Sequence, residues 1–457
     1  MSRVLPLGSD FRCNVASFEE KKLLLSQRLR LSEGEVRLHK GLSHLFRDRL
    51  RPQSAKLDVR AFDQVLDIDT ATGTIDTEGM AAYQNLAEAA FTRGVLPTVV
   101  PQLKGITIGG ACAGLGIESS SFRYGLAHET VDEMEILLAE GDTVICTPTN
   151  DYSDLFFGFP NSFGTLGYAL RIRAKTTPAK RVVELTHIRY ADSNAYFSAL
   201  ADWCRRPDID FVDGVVFGRG EHFLCVGRFV DEAPYTSDYT YLQIYHRSIS
   251  ERKRDYLNTL DYIWRWDTDW FWCSRQFYAQ NPIVRRLVGR KRLNSVFFKK
   301  AIDWQPAYRM RQMTRKLSSA YRELVIQDVD VTVDKAAEFL DFLLHEVGLL
   351  PIWICPFRAY DPCRRFPLFP ITDALYVNFG FWDQKVTTVA HQRGHFNRLI
   401  EHKLAELGGI KSLYSDSYFD PDAFRAIYGG AAYGKLKSRY DPKGRLSDLY
   451  RKCVLKQ

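Results

Sequence analysis

The chain has little that would place it in a specialised class. Nine cysteines are scattered over 457 residues without a CxxC pair or zinc-ligand spacing, which argues against a disulfide framework or metal site and for a reducing cytoplasm. No segment approaches the ~20 consecutive apolar residues that a bilayer-crossing helix needs, and the first 22 residues hold no uninterrupted apolar run. A membrane-spanning protein is therefore not expected. Internal repeats, low-complexity linkers and RNA-binding, OB or zinc-finger signatures are also missing, which sets nucleic acid aside as a partner. His391 and His395 have helical spacing but no third ligand, so they read as surface residues and no metal is expected. With 46% hydrophobic and 26% charged residues, the chain can bury proper cores in two or three domains.

Against this plain background, Pro101 to Gly125 stands out, with six glycines, three consecutive serines and few bulky charges in twenty-five residues. Glycine has no Cβ, so Gly105, Gly109, Gly110, Gly114 and Gly116 let backbone N–H groups lie close to an anionic or flat ligand, and Ser119, Ser120 and Ser121 add hydroxyls. A nucleotide diphosphate suits such a surface, and a set of tight turns within a sheet is the alternative. The GxGxxG reading of the segment from Gly114 is weak, because no amphipathic helix follows to present its N-terminus to a pyrophosphate.

The flanking pattern is α+β. Residues 54 to 80 alternate as strands, Met80 to Arg93 has helical apolar spacing, and two apolar strands meet at the Glu140-Gly141-Asp142 turn. After Lys175 the order becomes strand, helix, strand, strand to about residue 230, which predicts a second sheet-and-helix unit.

Several segments together carry a resemblance: the TIGG and GIESSSFRYG runs, then LLAEGDTVICTP and NDYSDLFFGFPNSFGTLG, then PIWICPF from Pro351 and LYSDSY from Leu413. In this order the chain resembles flavoproteins of the vanillyl-alcohol oxidase type. Within them it is most similar to the delta-24 sterol reductase (diminuto-like) group, including a bacterial branch that works with a methyltransferase to make methyl-branched fatty acyl chains. The resemblance implies a two-subdomain PCMH-type FAD-binding domain over 1–178, a mixed α/β substrate cap over 179–402, and a segment over 403–457 that returns to the FAD domain. It implies FAD as cofactor and NADPH as electron donor. Cofactor contacts would come from Lys40, Gly41, Ser43 and His44 in a short phosphate loop. Pro101, Gly105, Thr107, Ile108, Gly109, Gly110, Gly114, Gly116, Ile117, Glu118, Ser119, Ser120, Ser121 and Arg123 would wrap the pyrophosphate and flavin, and Gly164, Thr165 and Gly167 would close the site. Many members attach FAD covalently through histidine or cysteine. The Gly114 to Ser121 stretch has neither, so non-covalent binding is expected, with His44 and Cys112 as the remaining attachment options.

A further cluster, Trp264, Trp266, Trp270 and Trp272, precedes basic residues from Arg285 to Lys300. Indoles beside a basic stripe suit a membrane interface, and the net charge of +7 agrees; an aromatic core under a solvated basic helix is the other reading. The expected location is the cytoplasm, peripheral on the inner face of the membrane, with a phospholipid acyl chain as substrate.

The two resembled substrates share an alkene whose protonation gives a tertiary cation, so the site needs an acid, a hydride source and a water-excluding cavity. Tyr414, Asp416 and Tyr418 are the candidate acids. The expected reaction is FAD-dependent reduction of an isolated carbon–carbon double bond in a lipid, most simply a methylene-branched acyl chain. A desaturase, a delta-24 sterol reductase, an alcohol or sugar oxidase, and a non-catalytic lipid-binding protein are the alternatives.

Overall fold

The computed structural model describes residues 10–41, 45–47, 55–303 and 320–457. Two short strands, β1 (Val36–His39) and β2 (Ala55–Asp58), pair in parallel. They pack with the long helix Asp10–Leu31, whose Phe18, Leu25 and Leu29 meet Leu57, Phe62 and Leu137 in one apolar cluster.

A six-stranded antiparallel sheet follows. It runs β3 (Val65–Asp69), β4 (Thr74–Glu78), β8 (Tyr168–Pro178), β6 (Val131–Leu137), β7 (Thr143–Cys146), with β5 (Val95–Pro97) pairing beside β8. The expected helix forms as Tyr83–Phe91, with Leu86, Ala87 and Ala90 turned into the core. Inside the glycine run lies a helix that the sequence reading did not anticipate, Ile108–Gly114, whose first turn is capped by Thr107 Oγ1 accepting from Gly110 N at 3.2 Å. Glycines there discourage a helix prediction, yet they are what allow it to dock: Gly109 N donates to Gly79 O at 2.9 Å, and a Cβ on Gly109 would lie 2.6 Å from that same oxygen. Gly109→Ala is accordingly expected to cost about 3 kcal/mol in denaturant unfolding, since the new Cβ would press on a backbone carbonyl whose residue is tied to the sheet through Gly79 N donating to Leu170 O. A cost below ~0.5 kcal/mol would mean that the two backbones part freely.

The third sheet has eight antiparallel strands in the order β12 (Arg254–Asn258), β9 (Val182–Tyr190), β11 (Glu221–Val230), β10 (Phe211–Gly218), β14 (Ile352–Phe357), β15 (Tyr376–Thr387), β13 (Tyr321–Thr332), β16 (Ile410–Lys411). This sheet extends beyond the 402 boundary read from sequence, because Ile410 and Lys411 pair with Asp330 and Val329. Its two faces separate by the period-two rule. Val325, Val329, Val331, Ile352, Ile354, Val377 and Phe379 face the helices Ser193–Cys204, Val333–Phe342 and His395–Glu406. The neighbouring positions Trp353, Cys355, Phe357, Tyr376 and Trp382 face the opposite way, into the core shared with the six-stranded sheet. The functional cavity lies on that side.

Residues beyond the third sheet fold back on the first domain. Lys437 Nζ donates to Thr165 O at 2.8 Å, Lys452 Nζ to Phe163 O at 2.7 Å, and Arg445 to Ala139 O at 3.0 Å. Among the described residues no helix is long and apolar enough to cross a membrane.

The tryptophan cluster is internal, contrary to the membrane-interface expectation. Trp264, Trp266, Trp270 and Trp272 are all buried, as is Arg285, whose guanidinium donates to Ala279 O. Trp266 stacks on Phe271, and Phe271 packs against Trp382 with ring centres 4.4 Å apart. Burial of large aromatic area outweighed the amphipathic tendency of indole.

Candidate active site

A cavity of about 370 Å³ lies between the glycine run and the third sheet. Lys40, Pro101, Gly105, Thr107, Gly109, Gly110, Gly114, Gly116, Ile117, Gly164 and Gly167 line it on the first-domain side. The Gly164–Gly167 turn needs its second glycine: Gly167 has φ +147°, and a Cβ there would meet Ile136 at 2.6 Å and the Leu137 carbonyl at 2.8 Å.

Other predicted cofactor residues take different posts. Ser43 and His44 lie outside the described residues. Gly41 is exposed at the end of β1, and Ile108 is core. The three serine hydroxyls are engaged within the protein: Ser119 Oγ with Tyr262 OH at 2.9 Å, Ser120 Oγ donating to Thr98 O at 2.8 Å, and Ser121 Oγ accepting from Glu118 N at 3.1 Å. Thr165 is fully buried and bonds Ser162 O. Arg123 latches onto the carbonyls of Pro207 and Ile209. Cys112 is wholly buried in the core, with its thiol pushed up to about 12 by burial, and does not line the cavity as its neighbours Ala111 and Ala113 do.

Glu118 belongs to a buried charge cluster. Arg265, with no exposed side-chain surface, reaches Glu118 Oε1 at 3.0 Å and Asp213 Oδ2 at 2.7 Å, and its guanidinium lies 4.0 Å above the Tyr262 ring. Trp353 Nε1 donates to Asp213 Oδ2 at 3.1 Å. These charges bind the glycine segment, the tryptophan segment and the third sheet together, and they orient the Trp353 indole that forms part of the cavity wall.

Arg47, which the sequence reading passed over, fits an anion. It is 5% exposed, lines the cavity, and its Nη1 donates to Leu413 O at 2.6 Å. Its Nε and Nη2 are buried without a hydrogen-bond partner among the described residues. Such orphaned donors are costly unless a ligand satisfies them, and Lys40, Lys452 and Lys456 share the same lining. A diphosphate with a flat aromatic ring system therefore suits the chain: cations and backbone for the phosphates, apolar walls for the ring. FAD has both parts.

Of the three predicted acids only Tyr414 reaches the cavity. The turn at 413–415 breaks the alternation that would have kept Tyr414, Asp416 and Tyr418 on one side. Asp416 pairs with Lys456 at 2.9 Å, and Tyr418 lies against Arg398 and binds Glu401 through its backbone N–H. Tyr414 OH accepts from Trp382 Nε1 at 2.8 Å and lies within hydrogen-bonding reach of the Asp328 carboxyl.

Asp328 and Asp330 are carboxyls in the cavity wall that the sequence reading did not single out. Both lie on the cavity face of β13, two residues apart. Asn378 Nδ2 donates to Asp330 Oδ1 at 2.7 Å, whereas Asp328 Oδ1 has no hydrogen-bond partner among the described residues. Asp328 stands in register with Gly380, where a Cβ would come 2.7 Å from that oxygen, so glycine leaves room for the carboxyl. Removal from bulk water pushes Asp328 up to about 7, with the Tyr414 hydroxyl opposing, and burial raises Asp330 well above the usual carboxylate range. The available signal was a pair of aspartates at alternate positions, interleaved with valines, in the DVDV run of this strand.

Comparison with known proteins agrees with this geometry. Residues 35–147 match the family described as FAD binding domain. The chain is 26% identical to the human Delta(24)-sterol reductase over 402 residues, covering 85% of this chain and 75% of the human protein. It is 24% identical to the Arabidopsis thaliana Delta(24)-sterol reductase over 452 residues, covering 89% and 77%. A shorter likeness, 26% over 155 residues, covers 33% of this chain and 28% of Cytokinin dehydrogenase 10 of Oryza sativa subsp. japonica. The chain is thus an FAD-dependent oxidoreductase with an FAD binding domain at its N-terminal side, similar along most of its length to the Delta(24)-sterol reductases.

Proposed function

We propose that this protein reduces an isolated carbon–carbon double bond in a lipid, most simply a methylene-branched acyl chain of a phospholipid, with NADPH as electron donor. The observation that carries this reading is a carboxyl of raised affinity for its proton, Asp328, set in a wall of Trp270, Phe271, Trp353, Phe357 and Trp382. An isolated alkene offers no polar handle, so the protein must exclude water, hold the chain by apolar contact, and present an acid that is protonated near neutral pH.

In this scheme Asp328 gives its proton to one alkene carbon. Tyr414, itself held by Trp382 Nε1, fixes the carboxyl's orientation and returns a proton to it from solvent afterwards. Arg47, Lys40 and the glycine run would hold FAD, which when bound and reduced would supply hydride chemistry for the other carbon. The aromatic wall faces the cationic carbon that develops between these events, where ring faces favour positive charge. An upstream methyltransferase would supply a methylene-branched substrate, and the enzyme would work at the cytoplasmic face of a membrane.

The similarity to Delta(24)-sterol reductases favours a sterol side-chain alkene as the second reading. One experiment separates them. The purified protein is expected to be yellow, to release its flavin on acid precipitation, and to bleach with NADPH under anaerobic conditions. Adding a methylene-branched phospholipid should restore the oxidised spectrum and give a fatty acid two mass units heavier. Reoxidation by a delta-24 sterol alone would establish the second reading. Bleaching by a saturated methyl-branched lipid without NADPH, giving a product two units lighter, would reverse the direction and make the protein a desaturase.

A further inference from the structure

The segment from 270 to 302 contains eight lysines and arginines and no aspartate or glutamate. Its tryptophans point inward, but its outer surface has a second aromatic and aliphatic group. The helix Pro282–Val288 starts at Asn281, whose Oδ1 accepts from Ile283 N at 2.8 Å. Val284 and Val288 pack inward on the cluster of Trp270, Ala279, Leu293 and Phe298, and buried Arg285 fastens the same side to Tyr241 O and Ala279 O. The opposite side is apolar where a solvated helix would be polar: Ile283 is 65% exposed, Leu287 one turn later is 80% exposed, and Tyr278 just before the helix is 80% exposed. Arg286, Arg290, Lys291, Arg292 and Lys300 are exposed on the same stretch, with Arg290 paired to Asp238 at 2.7 Å.

We infer that this surface, Tyr278, Ile283 and Leu287 ringed by Arg286, Lys291 and Arg292, docks the enzyme on an anionic phospholipid bilayer. Exposed aliphatic side chains that contribute nothing to the core beneath them, bordered by a run of cations of which Arg290 is paired with Asp238, match a layer whose surface is negative and whose interior is hydrocarbon. The inner side of the segment supports the same assignment, since Trp270 belongs both to the cluster under the helix and to the cavity wall. The inference rests on the lipid-substrate reading for its purpose, and on the surface alone for its chemistry.

The test is sedimentation of the flavin-loaded full chain with vesicles of phosphatidylcholine, with and without phosphatidylglycerol, comparing wild type, I283S/L287S and R286E/K291E/R292E. Wild type is expected to sediment with the anionic vesicles and to be released by about 0.5 M salt, which shrinks the screening length to a few ångströms. The charge-reversed variant should bind at least about 100-fold more weakly, and the serine variant about tenfold. Both should retain the wild-type flavin spectrum and reduce a detergent-dispersed alkenyl lipid at the wild-type rate, because none of the five residues lines the cavity. Equal vesicle binding by either variant would overturn the assignment. So would a dimer of wild type that I283S/L287S converts to monomer, or release from vesicles by competing duplex DNA at fixed salt. Wild type that binds vesicles yet reduces no lipid alkene would refute the proposed reaction and leave the docking surface standing. Wild type that reduces the dispersed lipid but ignores anionic vesicles would do the reverse.

Discussion

Asp328→Asn should abolish alkene reduction while the protein keeps its flavin. Loss of a positioned general acid costs about 10²–10⁴-fold, so the rate at which lipid reoxidises the reduced enzyme should fall by about 10³. NADPH reduction of the flavin, read separately by stopped flow, should stay within about twofold, since no proton from Asp328 is consumed there. The pH profile adds an independent check. The acid must be protonated, so the wild-type alkene step should decline as pH rises through about 7, and that decline should vanish in the variant. The groups that face Asp328 are Asp330 on its own strand, Tyr414 from the loop after β16, and Asn378 and Trp382 from β15.

Stability should move in the opposite sense to activity. The folded carboxyl holds its proton to about pH 7 whereas an unfolded one loses it near 4, so Asp328 destabilises the native state progressively as pH rises across that window. Asp328→Asn should therefore be more stable than wild type at pH 8, by up to about 4 kcal/mol, and indistinguishable at pH 4. A variant that is slow and also less stable at pH 8 would point to a structural carboxyl. Tyr414→Phe should slow the alkene step about tenfold with the pH limb retained, as expected of a group that orients the acid.

Arg265→Ala should be the most destabilising single change in the molecule, costing about 3–5 kcal/mol, because it strands Glu118 and Asp213 as unpaired carboxylates in the core. Burial already raises Glu118, and without the guanidinium it would be driven further toward taking up a proton. Its folded pKa then exceeds the unfolded one, so the loss should be smaller at pH 5 than at pH 8. Replacing all three charges together, with Met at 265 and with Gln and Asn at 118 and 213, should recover most of the stability. A loss below ~1 kcal/mol for Arg265→Ala alone would mean that water enters the cluster and that the interface depends on its aromatic contacts instead.

Sequence reading identified the cofactor fold and brought Tyr414 to the cavity but not the carboxyls beside it, for one physical reason. A glycine-rich backbone surface is local: Gly105 to Ile117 form one side of the cavity within a few consecutive turns, and their composition alone points to a ligand. The strand, helix, strand, strand order after residue 180 was likewise legible from periodicity. The acid depends on register. Asp328 becomes a candidate only because β13 pairs with β15 so as to put Gly380 beside it, and because a turn carries Tyr414 across the end of the sheet. Neither relation is written in the residues near 328. Glu118 and the serines misled because polar residues in a ligand loop look the same whether they meet a phosphate or a buried arginine 147 residues away. The tryptophans misled because burial is decided by the rest of the fold, and the outward-facing group that replaced them, Ile283 and Leu287, has no unusual composition at all.

The two-faced third sheet has a consequence for how this enzyme can change. On β13, β14 and β15, alternate residues serve different masters: one set packs on helices and keeps the domain folded, the other borders the cavity. Substitutions that reshape the second set leave the first untouched, so the range of substrates accepted can drift under selection while the scaffold stays intact. Phe357 is free to vary in this way, since its ring packs on Phe369 and Tyr376 and carries no polar contact of the site. Trp353 and Trp382 are not, because one indole anchors the buried charge cluster and the other holds Tyr414. Laboratory evolution toward bulkier substrates should therefore accumulate changes at 357 and spare 353 and 382.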